Sequence, residues 1–243
     1  WNFFYLLNLI KDIRKFNFEN CFDLQNSSRT DFYRKNFKIK NWSSSITTLK
    51  KGETKKTFDQ NGVIERFKIQ LDRSGISNTN NVLKPDFSWA IDHSFDVGEE
   101  PYIYIAPFCS PELQHKVWPY FRELIKLLKQ NFKNYEILTA PGPSEIGLCK
   151  DLKLKMILNK DRPTNINQLS KIIKRASFVV ANDTGPAHIA AHLNVKGLAL
   201  FGNHTSAKKV SIETNKFKVL EKGNLNKLTP LEVLDTIIKQ LST

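Results

Sequence analysis

Three short stretches hold the residue types best suited to chemistry. The first is Asp183-Thr184-Gly185-Pro186-Ala187-His188, directly after the apolar run 178–181. A buried strand that ends in Asp-Thr-Gly and turns into a helix presents free amide donors and the positive end of the helix dipole, which suits an anion. Thr184 adds a hydroxyl, Gly185 leaves room for a ligand to approach the backbone, and His188 lies one turn further on. Taken singly, Asp183 reads as a helix cap and His188 as a satisfied surface residue; together with Thr184, Gly185 and Pro186 they read as a ligand site. The second stretch is 106–119, in which Lys116 precedes Val117-Trp118-Pro119 and can point a compact charge at a phosphate, or simply be solvated. Trp118 reads as a core residue. The third is Pro141-Gly142-Pro143-Ser144-Glu145, where Glu145 can accept from ribose or sugar hydroxyls or complement a helix dipole.

Other chemistries lack their residues. No GxGxxG or GxxxxGK[ST] phosphate loop, HExxH helix or GxSxG elbow is present. His188 and His192 are spaced to share a helix face, but no third ligand follows, so neither metal nor cofactor is expected. Cys21, Cys109 and Cys149 form no CxxC pair and read as reduced thiols of a cytosolic protein.

These loops must be held by a scaffold, and the pattern supplies one. The 243 residues are 40% hydrophobic and 25% charged, an ordinary globular composition, with no apolar run of membrane-spanning length. Strands are expected at 102–106, 135–139, 154–158, 178–181, 197–201 and 217–220, alternating with helices opened by Pro119 and at 144–150, 166–175, 186–193 and 230–241. The last begins with the capping box Thr229-Pro230-Leu231-Glu232. Alternation at this spacing predicts a parallel sheet covered on both faces. Upstream, helices are expected at 3–16, 27–37 and 58–71, a short strand at 21–24, a solvated loop at 42–57 and a turn-rich connector at 77–94. The predicted organisation is therefore an α/β domain over 96–243 and an incomplete α/β piece over 1–95. Because the chain opens on Trp1, with few strands for its first helices to pack on, its true start is expected upstream.

Lysine and arginine total 37 against 24 acidic residues, a formal charge of +13. That excess favours anionic partners such as a phosphorylated substrate or an anionic lipid surface. No basic block interleaves with aromatics, and Lys, Asn and Ile are abundant throughout, so nucleic acid is not an expected partner.

The stretch Asp183-Thr-Gly-Pro-Ala-His188 through Ala199-Leu-Phe-Gly202 resembles the signature of glycosyltransferase family 9, the ADP-heptose:lipopolysaccharide heptosyltransferases. Lys116-Val-Trp-Pro resembles the family's Lys-x-Trp-Pro element, Pro141-Gly-Pro-Ser-Glu145 its Gly-x-x-x-Glu loop, and Phe22-Asp23-Leu-Gln25-Asn-Ser-Ser-Arg29 a stretch of its acceptor domain. One segment departs: where the family commonly has Phe-Gly-Pro-Thr-x-Pro, this chain has Phe201-Gly202-Asn203-His204-Thr205-Ser206. The resemblance implies a GT-B fold of two Rossmann-like domains, the first incomplete here, with the nucleotide-sugar held by the second. It implies an inverting, metal-independent transfer of a heptose-like sugar from ADP-heptose to a lipid-linked lipopolysaccharide core, in the cytoplasm at the inner membrane. Lys116 would contact phosphate, Glu145 ribose, and Asp183, Thr184, Gly185 and His188 the diphosphate and sugar. The catalytic base would lie upstream of residue 1. A non-catalytic sugar-nucleotide-binding relative and a GT-B sugar-nucleotide epimerase are the alternatives.

Overall fold

The computed structural model describes residues 3–242, apart from the side chain of Phe3. Trp1, Asn2 and Thr243, at the outer ends of the two expected domains, lie outside the described residues. The chain divides into two compact units, Trp1–Lys84 and Pro85–Thr243. The division falls earlier than the expected 95/96. The reason is that Phe87, Ile91, Phe95 and Val97 pack against the core of the second unit, while the Phe87 and Asp92 amides donate to the His192 and Asn167 carbonyls.

In the first unit the elements are α1 (Phe3–Lys15), β1 (Asn20–Phe22), α2 (Ser28–Phe37), β2 (Asn41–Ser43), α3 (Lys55–Phe58) and α4 (Val63–Arg73). β1 and β2 pair in parallel, Cys21 opposite Trp42. Two expectations are corrected. The 42–57 stretch is a solvated loop only in its later, lysine-rich part, where 50–52 and 54–57 are exposed: it opens inside β2, and Ser43, Ser44 and Ser45 are buried. The Ser44 amide donates to Thr47 and the Ser45 amide to Asn26, while Ser43 is met by Gln70, which is fully buried. Its Nε2 donates to the Asp23 and Ser43 carbonyls at 2.9 and 3.1 Å, and its Oε1 accepts from Asn26 at 3.0 Å. The expected 58–71 helix begins only at Val63, because the Asn61-Gly62 turn separates it from the short α3, which ends at Phe58, and Gly62 caps α4 without a side chain.

The second unit contains β3 (Tyr102–Ala106), α5 (Phe121–Asn131), β4 (Glu136–Thr139), α6 (Ile146–Asp151), β5 (Lys155–Met156), α7 (Ile166–Arg175), β6 (Phe178–Asn182), α8 (Gly185–His192), β7 (Gly197–Phe201), α9 (Ala207–Val210), β8 (Phe217–Glu221) and α10 (Pro230–Leu241). All six strands run parallel in the order β5-β4-β3-β6-β7-β8. Numbered within the unit this is 3-2-1-4-5-6, so the order reverses between β3 and β6, and a crevice opens beyond their carboxyl ends.

Every residue of β3, β6 and β7 is buried, which only a sheet covered on both faces permits. Alternate residues serve the two layers. Tyr102, Tyr104, Val179, Ala181 and Ala199 face a layer with α7 and α8. Ile103, Ile105, Phe178, Val180 and Leu198 face a layer with Trp118, α5 and α10. α8 presents Ala187, Ala190 and Ala191 to the sheet, small side chains that let its first turn sit close to the end of β6.

Asn182, fully buried at the end of β6, ties the crevice together. Its Oδ1 accepts the Trp118 amide at 3.0 Å and its Nδ2 donates to the Pro107 carbonyl at 2.8 Å. Trp118, itself buried, donates its Nε1–H to the Leu228 carbonyl at 2.8 Å. Asn182→Leu strands a buried amide and a buried carbonyl, so it should lower stability by about 2–4 kcal/mol. Urea denaturation measures this; a loss well below about 1 kcal/mol would show that the tether is dispensable.

Candidate functional site

Beyond the carboxyl ends of β3, β4 and β6 lies an open cavity of about 240 Å3. Its lining includes Tyr104, Cys109 and Ser110 from β3 and the following loop, Glu145 beyond β4, and Asp183, Thr184 and Gly185 beyond β6. The crevice predicted by strand order and the stretches singled out by residue type thus coincide.

Asp183 dominates the electrostatics. It is 5% exposed, and three nitrogens surround its carboxylate. Lys116 Nζ lies 2.8 Å and His204 Nε2 2.9 Å from Oδ2, while His188 Nε2 lies 3.5 Å from Oδ1. Burial alone would raise this carboxyl; contacts from His188, Lys116 and His204 outweigh it and hold the group well below the usual carboxylate range. Asp183 does not cap α8. The cap position belongs to Thr184, whose side chain makes no capping bond and instead donates to the Asn182 carbonyl at 3.3 Å.

Gly185 has ordinary backbone geometry, and a Cβ built on it would meet nothing within 4 Å. The glycine leaves space above the first turn of α8. There Pro186 has no N–H, and the first amides of a helix lack partners within it.

Glu145 precedes α6, and its Oε2 accepts the Gly142 amide at 2.8 Å. The Pro-Gly-Pro loop thus orients the carboxylate, while Glu145 also lines the cavity. Burial pushes the Cys109 thiol up to about 11 and the Cys149 thiol up to about 12, so neither is a thiolate nucleophile near neutral pH.

Of the six residues singled out by sequence, Glu145, Asp183, Thr184 and Gly185 line the cavity. Lys116 and His188 gather on Asp183 rather than on the cavity's lining. His188 and His192 do share a helix face, with ring centroids 6.2 Å apart. Among the described residues no group of three or more His, Cys, Asp or Glu is placed to hold a metal ion.

His204 was not anticipated. It comes from the loop after β7, the segment that departs from the family pattern. The signal that could have found it is its place beyond the carboxyl end of a parallel strand neighbouring β6.

A 3-2-1-4-5-6 sheet with its cavity at the reversal point defines a Rossmann-like α/β protein, and with its companion α/β unit the chain has the GT-B type of fold. The chain belongs to glycosyltransferase family 9 (heptosyltransferase), whose family model matches residues 7–233. Among solved structures it is similar to E. coli ADP-heptose LPS heptosyltransferase II, with a TM-score of 0.71 and 19% identity over 97% of this chain and 80% of that one. The E. coli heptosyltransferase WaaC with ADP gives a TM-score of 0.71 and 18% identity over 96% of this chain and 77% of that one. A family 9 glycosyl transferase from Veillonella parvula gives 0.70 and 14%, over 98% and 78%. No curated protein matches the chain. Among the described residues no helix is long and apolar enough to cross a membrane.

The Asp183 carboxyl titrates lower in the native protein than its unfolded value of about 3.9. Its contribution to stability is therefore complete above about pH 4 and is lost as the pH falls through the native value. Asp183→Asn should cost about 1–3 kcal/mol at pH 7, with the gap to wild type closing below about pH 4. Urea denaturation at several pH values reads this directly, and equal stability at pH 7 would contradict it.

Proposed function

We propose that the second unit binds a nucleotide-sugar donor, ADP-heptose, and that the protein transfers the heptose with inversion to a lipopolysaccharide core acceptor. The observation that carries this reading is the cavity at the reversal of strand order, lined by Glu145, Asp183, Thr184 and Gly185 with Lys116 one side chain away. The diphosphate lies over the first turn of α8, in the open space above Gly185, where the unpartnered amides of the helix start can donate to it. Glu145, already oriented by Gly142, receives the ribose hydroxyls. His188 flanks the diphosphate and sugar from one turn into the helix. The two E. coli relatives named above support the choice of donor class, their descriptions naming ADP-heptose and ADP respectively.

Transfer requires an acceptor hydroxyl to attack the anomeric carbon while the nucleoside diphosphate departs. Negative charge grows on the leaving phosphates, and pre-aimed amides together with the Lys116 ammonium stabilise it in the transition state. That provision supports a metal-independent reaction. The acceptor's proton must pass to a base. Asp183 is unsuited to that task, because Lys116 and two imidazoles hold its carboxyl far below neutral pH. Its role is to organise the cations around it. The acceptor's lipid anchor and the formal charge of +13 suit a peripheral position on an anionic inner-membrane surface.

Binding of ADP or ADP-heptose should raise thermal stability. At a ligand concentration of about 100 times the dissociation constant the gain is about 2.7 kcal/mol. Gly185→Leu should fold normally yet abolish that gain, since its side chain occupies the open space above α8. Lys116→Ala should weaken ADP binding at least about tenfold, equivalent to 1.4 kcal/mol. A wild-type protein whose melting is unmoved by ADP, ADP-heptose and UDP-sugars would refute the donor site. Product analysis with and without a lipid-linked acceptor separates transfer from epimerisation and from binding alone.

A further inference from the structure

We infer that His204 is a positioning residue of the donor site, whose Nε2–H secures Asp183 so that Lys116 is released to a bound diphosphate. The inference rests on the donor-site reading above and deepens it.

Two donors share one oxygen. Lys116 Nζ and His204 Nε2 both contact Asp183 Oδ2, at 2.8 and 2.9 Å. They differ in freedom. Lys116, the last residue of a 3-10 helix in the connection after β3, carries its ammonium on a flexible four-carbon stem, with its side chain 20% exposed. His204 is 8% exposed by its side chain, and its ring is pinned. It stacks on Phe201 with centroids 5.9 Å apart and rings 19° from parallel, and meets His115 edge-on at 5.8 Å. An ionised carboxylate only accepts, so the proton of this contact sits on Nε2. The ring's other nitrogen, Nδ1, is buried without a hydrogen-bond partner among the described residues. The histidine thus gives up one ring nitrogen's hydrogen bond to keep the other on Asp183.

The benefit appears when an anion arrives. Lys116 is engaged with Asp183 and is not among the residues lining the cavity. To reach a diphosphate its ammonium must leave or share Oδ2. A buried carboxylate stripped of a close donor pays a heavy desolvation penalty, which would hold the lysine back. With His204 fixed on the same oxygen, the carboxylate keeps a short hydrogen bond throughout, and His188 remains near the other oxygen. Lysine can then turn toward the phosphates. Without His204, Asp183 competes with the ligand for Lys116.

Two substitutions separate the donor from the ring. His204→Phe keeps the stacked ring and removes the N–H, whereas His204→Gln keeps an N–H donor and removes the ring. Calorimetric titration with ADP, and separately with inorganic pyrophosphate, should show binding weakened at least about tenfold in His204→Phe and restored to within about threefold of wild type in His204→Gln. In a Lys116→Ala background, His204→Phe should change affinity by less than about threefold, because the histidine acts through the lysine. Wild-type affinity in His204→Phe overturns the inference and leaves the donor site standing. Weak binding in His204→Gln with normal binding in His204→Phe also overturns it, since the ring's packing would then be what matters. If wild type binds neither ADP nor pyrophosphate, the donor-site reading itself fails and this inference with it.

Discussion

A carboxylate placed at the end of a buried strand has to be neutralised, and the second unit is arranged around meeting that requirement at Asp183. Each neighbouring element sends one cation or imidazole: the loop after β3 supplies Lys116, the loop after β7 supplies His204, and α8 supplies His188. Since these donors come from three separate connections, the carboxylate fixes their positions relative to one another as well as its own. Removing it would leave several polar groups buried and poorly paired, a larger disturbance than the loss of one surface charge.

Two further constraints keep that cluster at the cavity's edge. The strand order reverses between β3 and β6, so the loops leaving them diverge and leave space between. Asn182, the residue before Asp183, then anchors both the start of the β3 loop, through Pro107, and its far end, through Trp118. Lys116 lies two residues before that second anchor. The alanine-rich inner face of α8 completes the arrangement by bringing the helix start against the sheet.

Much of this was legible because the relevant residues are close in sequence. The runs 102–106 and 178–181 are fully buried, so their uninterrupted apolar character marked them as strands. The Asp183–His188 stretch combined a strand end, a glycine and a helix start within six residues. Whatever depends on distant partners was harder to see. Lys116 alone is indistinguishable from a solvated lysine, and its partner is 67 positions away. His204 lies 21 positions from Asp183 in a loop with no regular pattern. Ser43, Ser44 and Ser45 look like solvent-facing residues, yet Gln70 and Asn26 satisfy that buried region from elsewhere in the first unit. The domain boundary shifted for a similar cause: Phe87, Ile91 and Phe95 sit in turn-rich sequence but pack on a core assembled from later residues.

The pairing of β3 with β6 also governs how the protein is made. Contacts across that seam join residues about 75 apart, such as Asn182 with Pro107. Ribosomal synthesis proceeds at roughly 5–20 residues per second. β3, the run Tyr-Ile-Tyr-Ile-Ala, is therefore completed several seconds before the partner that seals one of its sides. Nascent chains must shelter this sticky segment while they wait, and slow translation of the intervening stretch would lengthen the exposure. The same long-range seam that creates a binding crevice in the finished protein makes its biogenesis sensitive to elongation rate and to chaperone supply.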